Sequence, residues 1–234
     1  MKDLLETMLY PHNLFMYALL LACMAYRKKG LWCLLVSFYL LGNTLVANQV
    51  RILYSSQINT SVTASSDSHF VLLGCGGSPE HLPACGEARL RHLVRQVNNM
   101  PASVTITTRH CQPYLDFLLE KHDQLVVDCF DGGDNTYQEF YRLSQRLSTS
   151  QRLQFVSSDY HHWRVSQLIK LHDFNAGVSS VGSQTFRPVN CPYLSCMLTV
   201  NLSNFDLYAK LSAEVSSYAV YRLFGGWFNW QDER

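Results

Sequence analysis

Hydrophobic positions fall into two regimes along the chain. Between His12 and Val50 the only charged residues are Arg27, Lys28 and Lys29, which divide an otherwise apolar stretch into 13–26 and 31–50. With 8–12 included the first part reaches 19 residues and the second has 20, near the roughly 20 that cross about 30 Å of hydrocarbon, so both are expected to be transmembrane helices. No charged stripe at helical spacing marks them as a soluble hairpin. A cleaved signal peptide would carry its basic cluster before the apolar run, not after it. The anchor is expected over 1–53, followed at 54–69 by a stretch rich in Ser, Thr, Asn and Gln that reads as a polar tether.

From residue 70 to the end the pattern changes to short apolar runs alternating with helical periodicity. Strands are expected at 70–73, 104–107, 124–127 and 153–157, and helices at 87–97, 114–121, 136–147 and 163–171. Strands that are continuous in apolar residues and alternate with helices of this length predict an α/β domain. The expected fold is Rossmann-like, a mainly parallel sheet with helices on both faces, preceded by the two spans. Leu207, Lys210, Leu211, Val215, Tyr218 and Arg222 recur at helical spacing and predict a final amphipathic helix packed on the sheet. The alternative for this tail is contact with a membrane surface through Leu223, Phe224, Trp227, Phe228 and Trp230.

Composition sharpens this division. The 234 residues carry a net charge of +1. That value is +3 over residues 1–54 and −2 over the rest. The apolar fraction excludes a disordered chain, and a mildly acidic body lacks the basic surface that nucleic acid requires. Arg27–Lys29 is the only basic cluster near either span, so the positive-inside rule places it in the cytoplasm. Both termini and the main domain are then expected to face outward; in a bacterium the spans would lie in the inner membrane and the body in the periplasm or outside the cell. Cys23 and Cys33 lie within the spans, which leaves six cysteines in the body, a number compatible with disulfides in an oxidising compartment. Local pairs Cys75–Cys85, Cys111–Cys129 and Cys191–Cys196 are the expected pairing. The other reading is reduced thiols acting as small apolar residues.

In an α/β sheet, ligands bind at the carboxyl ends of strands, beside helix N-termini. That rule selects Gly74, Gly76 and Gly77 after the first strand and Thr107, Thr108, Arg109 and His110 after the second. It selects Asp128 to Thr136 after the third, and Ser157 to Arg164 after the fourth. Glycine loops, hydroxyls, a guanidinium and an imidazole are the parts of a phosphate or carboxylate site. Asn135 also suits a helix cap, whereas capping needs neither His161 nor Arg164. The spacing fits neither a dinucleotide fingerprint nor a P-loop, no Gly-x-Ser-x-Gly elbow occurs, and no Cys-x-x-Cys or His-x-x-x-His pair suggests zinc. A hard cation on Asp128, Asp131 and Asp134 is the remaining metal alternative.

The strand end Val71-Leu72-Leu73-Gly74-Cys75-Gly76-Gly77, Arg89-Leu90 in a helix, Asn135-Thr136 opening another, and Ser158-Asp159-Tyr160-His161-His162-Trp163-Arg164 resemble the bacterial ElyC/SanA/YdcF family domain. Glu214, followed by Tyr221, Arg222, Leu223 and Gly225, resembles that family's terminal helix, and two spans ahead of the domain look most like its ElyC branch. The resemblance implies a role in cell-envelope biogenesis, in peptidoglycan precursor or lipid-carrier metabolism or the outer permeability barrier. In an enzyme of that kind, a hydrolase or transferase on a polyprenyl-phosphate or glycan intermediate, Gly74, Gly76, Gly77 and Arg164 would hold the anion. His161 would move a proton, and Arg89, Thr107, Asn135, Thr136, Ser158 and Glu214 would complete the site. The alternative is a ligand-sensing or scaffold protein that recruits envelope partners without chemistry. Departures from the family favour the latter: Thr107-Thr108-Arg109 replaces a Ser-Gly-Gly type turn, Gln138 stands where the family tends to carry Glu, and Gln112-Pro113 replaces an acid.

Overall fold

The structure, a computed structural model, describes residues 8–58, 69–97, 100–119, 124–148, 150–191 and 194–232. It divides into two compact units, one of 1–57 with 183–213 and one of 58–182 with 214–234. The sheet domain was expected to run unbroken from residue 70. Instead, 183–213 folds with the N-terminal helices.

In the first unit, α1 (Pro11–Tyr26) and α2 (Lys29–Gly42) are joined by a turn in which Arg27 adopts the left-handed conformation, φ 49°. Met16, Leu19, Cys23 and Leu35 are buried together with Val200. Among the described residues no helix is long and apolar enough to cross a membrane. The second expected span is interrupted at Asn43, where α2 ends and α3 (Thr44–Ile58) begins. The break is built by side-chain chemistry. Asn43 Oδ1 accepts from Leu45 N at 2.9 Å, capping α3, while its amide donates to the Met197 carbonyl at 2.8 Å. Arg51, the charge that closes the apolar stretch, is buried. It donates to the Thr185 carbonyl at 2.8 Å and to Asn204 Oδ1 at 2.9 Å. The expected tether begins inside α3, and its remainder at 59–68 lies outside the described residues. A disulfide joins Cys191 to Cys196, beside the short α8 (Leu194–Leu198).

The second unit is the α/β domain. Five strands, β1 (His69–Leu73), β2 (Ala102–Thr107), β3 (Leu125–Phe130), β4 (Leu153–Ser158) and β5 (Ala176–Val181), form one wholly parallel sheet in the order β3-β2-β1-β4-β5. Between them run α4 (Ala84–Val97), α5 (Gln112–Leu119), α6 (Thr136–Arg146) and α7 (His162–Leu171). The sequence pattern missed β5 because AGVSSV has no apolar run. It is an edge strand in which only Val178 and Ser179 are buried.

Side chains alternate across each strand, and this alternation makes two cores. Phe70, Leu72, Val104, Ile106 and Val156 face Leu90, Leu93 and Val97 of α4 and Tyr114 and Leu118 of α5. Val71, Leu73, Phe155 and Val178 face Phe140 and Leu143 of α6, Val165 and Leu168 of α7, and Tyr221 of the long final helix α9 (Ser203–Asp232). The register Leu73↔Thr107↔Phe130 brings the carboxyl ends of β1, β2 and β3 level, so the loops that follow them share one edge. Cys111, just before α5, is bonded to Cys129 of β3. This bond anchors the loop after β2 to the neighbouring strand.

Candidate functional site

The loops after β1, β2 and β3 and the first turn of α6 enclose a cleft of ≈ 320 Å³. Its walls include Gly74, Gly76, Gly77, Thr107, Asn135 and Thr136. Gly74 is there because two strand ends converge. Its amide donates to the Thr107 carbonyl at 2.8 Å, and a Cβ at this position would collide with that same oxygen. Gly76, at φ 67°, takes a backbone conformation that costs other residues roughly 1–2 kcal/mol. The two together turn the chain sharply and bring main chain, without side chains, to the cleft wall.

The floor holds a residue that was not among the sequence-based candidates. Glu139 Oε1 accepts from the Thr107 hydroxyl at 3.0 Å, and its side chain abuts Gly132. Burial pushes this carboxyl up from 4.5 to about 7, against the opposing pull of the Thr107 hydroxyl, the Arg89 and Arg164 charges and the Gly74 amide. The residue as a whole is only half-buried, because its stem borders the cleft. A carboxyl that titrates near neutrality can both take and give a proton. The signal that could have located it lies in the cap of α6. Asn135 Oδ1 accepts from Gln138 N at 3.1 Å, and Gln138 Oε1 accepts from Asp134 N at 2.7 Å. Gln138 therefore serves the helix start in the manner of a capping box, and the next position, about 100° around the helix, presents the acid.

His161, Arg164 and Glu214 form a second, contiguous cluster on the same side of the sheet. His161 ends the short turn after β4, Arg164 lies in the first turn of α7, and Glu214 comes from α9. His161 Nδ1 is 2.9 Å from Glu214 Oε1 and 2.8 Å from Arg164 Nη2, and Arg164 Nε is 3.1 Å from Glu214 Oε2. One ring nitrogen thus faces both a donor and an acceptor, so the histidine tautomer decides which contact is a hydrogen bond. With Nδ1 protonated toward Glu214, Nε2 is the basic nitrogen. Burial lowers the His161 pKa. Glu214 opposes that shift, and Arg164 and Arg89 add to it, so the ring is neutral at physiological pH. The Arg164 charge also reaches Glu139, which makes the cleft floor and the cluster one electrostatic unit.

The remaining expected residues have different placements. Arg89 is buried and does not line the cleft, with Nη1 donating to the Leu73 and Gly74 carbonyls at 2.6 and 2.8 Å and its other nitrogens to Ser158 Oγ at 3.2 and 3.0 Å. It braces the ends of β1 and β4. Thr136 lies within hydrogen-bond reach of the Tyr221 hydroxyl. Ser157, two residues beyond Phe155 on the same strand face, is buried with no hydrogen-bond partner for its hydroxyl. The aspartates of the cation alternative stand beside arginines. Arg109 pairs with both Asp131 and Asp134, Asp128 stands 3.9 Å from Arg146, and among the described residues no group of three or more metal-ligating side chains assembles. Cys75 and Cys85 are separate thiols, so the pairing expected between them is not formed. Burial raises the Cys75 pKa, which slows any attack by this thiol at neutral pH.

No family model, curated protein or solved structure matches the chain.

Proposed function

We propose that this chain is a membrane-anchored factor of bacterial envelope biogenesis, of the ElyC/SanA/YdcF kind, whose cleft binds a phosphate-bearing polyprenyl or cell-wall intermediate and acts on it as a hydrolase or transferase. The observation that carries the proposal is Glu139, a carboxyl titrating at about 7 on the floor of a cleft walled by glycine main chain and hydroxyls. Main-chain amides and the α6 N-terminus favour an anion, and Glu139 would supply or remove the proton as the leaving or attacking oxygen changes charge. The neutral imidazole of His161, oriented by Glu214, and the Arg164 guanidinium stand behind it.

The anchor is the α1–α2 hairpin, with Arg27–Lys29 toward the cytoplasm and the sheet domain in the periplasm. Supporting it, the hairpin exposes Leu14, Phe15, Leu21, Met24, Leu34 and Leu41, an apolar surface suited to lipid. Its helices are roughly 24 and 21 Å long at 1.5 Å per residue, short of about 30 Å of hydrocarbon, so the hairpin would seat only in a locally thinned bilayer.

A second reading, ligand sensing without chemistry, is favoured by one observation. Arg89 spends its donors on Leu73, Gly74 and Ser158, leaving fewer cations for transition-state charge than the residue count suggests. The full chain in detergent, incubated with a polyprenyl pyrophosphate, separates the two. Release of inorganic phosphate that Glu139→Gln abolishes supports the enzyme. A raised melting temperature without turnover supports the sensor, and neither effect overturns both.

A further inference from the structure

We propose that Cys75 and Cys85 are a redox site that sets the conformation of the glycine loop on the cleft wall, open as the dithiol and drawn against α4 as the disulfide. Its effect on ligand rests on the cleft reading above. Cys75 lies between Gly74 and Gly76, which both line the cleft. Cys85 lies in the first turn of α4, where its thiol donates to the Cys75 carbonyl at 3.7 Å and also meets the Cys75 thiol. Both residues are half-buried, so the pair is within reach of a small oxidant. Cys111 and Cys129 are already bonded in the same unit, which leaves these two as its unpaired thiols among the described residues.

The geometry around the pair determines what oxidation would move. A disulfide brings the sulfurs to about 2.05 Å, closer than hydrogen-bonded thiols. Gly74 cannot follow, since Thr107 holds its amide and Arg89 its carbonyl. Cys85 is fixed by the helix. The displacement therefore falls on Gly76 and Gly77, both at positive φ (67° and 115°) and both lining the cleft. In the reaction, the Cys85 thiolate attacks a low-molecular-weight disulfide such as glutathione disulfide, giving a mixed disulfide and one glutathione thiolate. Cys75 then loses its proton and displaces the second glutathione. The pair gives up two protons and two electrons, and the oxidant becomes two thiols. The buried Cys75 thiol resists deprotonation, so the second step is the slow one.

The test uses the full chain in detergent with the exposed Cys33 replaced, Cys33→Ser, so that glutathione has no competing accessible target. Incubation with glutathione disulfide should remove two thiols, link 75 to 85 in the peptide map, slow amide exchange across 74–83 and weaken inorganic phosphate binding by about threefold or more, all reversed by dithiothreitol. Stable glutathione adducts without a 75–85 bond would overturn the site. A bond that leaves both loop exchange and phosphate affinity unchanged would overturn its role. If neither redox form binds phosphate, the cleft reading fails, and loop exchange alone decides the redox proposal. Cys75→Ser and Cys85→Ser should each abolish the response.

Discussion

Replacing Glu139 by Gln keeps an oxygen to accept from Thr107 and removes the titration. The carboxyl has a folded-state pKa of about 7 against 4.5 when unfolded. Between those values the native protein holds a proton that the unfolded chain releases, so stability falls as pH rises through this window and the loss is complete above about pH 7. A shift of this size corresponds to at most about 3 to 4 kcal/mol at 1.36 kcal/mol per unit. The open side of the cleft leaves part of Glu139 in contact with solvent, which trims the expected value to about 2 kcal/mol. Urea unfolding of the full chain in detergent, wild type beside Glu139→Gln from pH 4 to 9, isolates this residue because every other group titrates alike in both. The variant should match the wild type near pH 4 and become about 2 kcal/mol more stable by pH 8. A difference that stays flat with pH would refute the assignment of Glu139 as a carboxyl poised at neutrality, and with it the proton-transfer role.

Two further outcomes follow from neighbouring residues. Arg89→Ala strands the Leu73 and Gly74 carbonyls and the Ser158 hydroxyl and should cost about 3 kcal/mol, whereas Arg91→Ala, which loses only an exposed pair with Glu87, should cost under about 0.5 kcal/mol; equal losses in melting experiments would refute the brace. The His161 pKa is lowered in the folded state, so this ring favours stability above its unfolded value of 6.5 and opposes it as pH falls below that. NMR titration should find the midpoint below 6.5 and lower still in Glu214→Gln, which removes the contact that raises it, and a rise in that variant would contradict the cluster geometry.

The α/β alternation was legible because strands buried on both faces tend to be continuous in apolar residues, as Phe70–Leu73 is, and helices must show a stripe. The edge strand β5 escaped because an edge needs little apolar surface. The expected second span read as one helix since Gly42-Asn43-Thr44 is only mildly polar. Its break depends on the Met197 carbonyl, from a segment more than 150 residues away.

Sequence alone determined the alternation of the first four strands with their helices and the chemical character of those strand ends, since both follow from local burial and turn chemistry. The strand-end rule singled out His161 and Arg164 and a resemblance added Glu214; that the three meet is a finding of the structure. Tertiary structure decided which of these groups line the cleft. Arg89 carries the same charge as Arg164 but is used up by main-chain carbonyls. Gln138 stands in the family-like position, yet the cap draws it back and Glu139 takes the cleft. Both outcomes depend on which partners the sheet register and helix rotation bring within about 3 Å, a distance no spacing along the chain specifies.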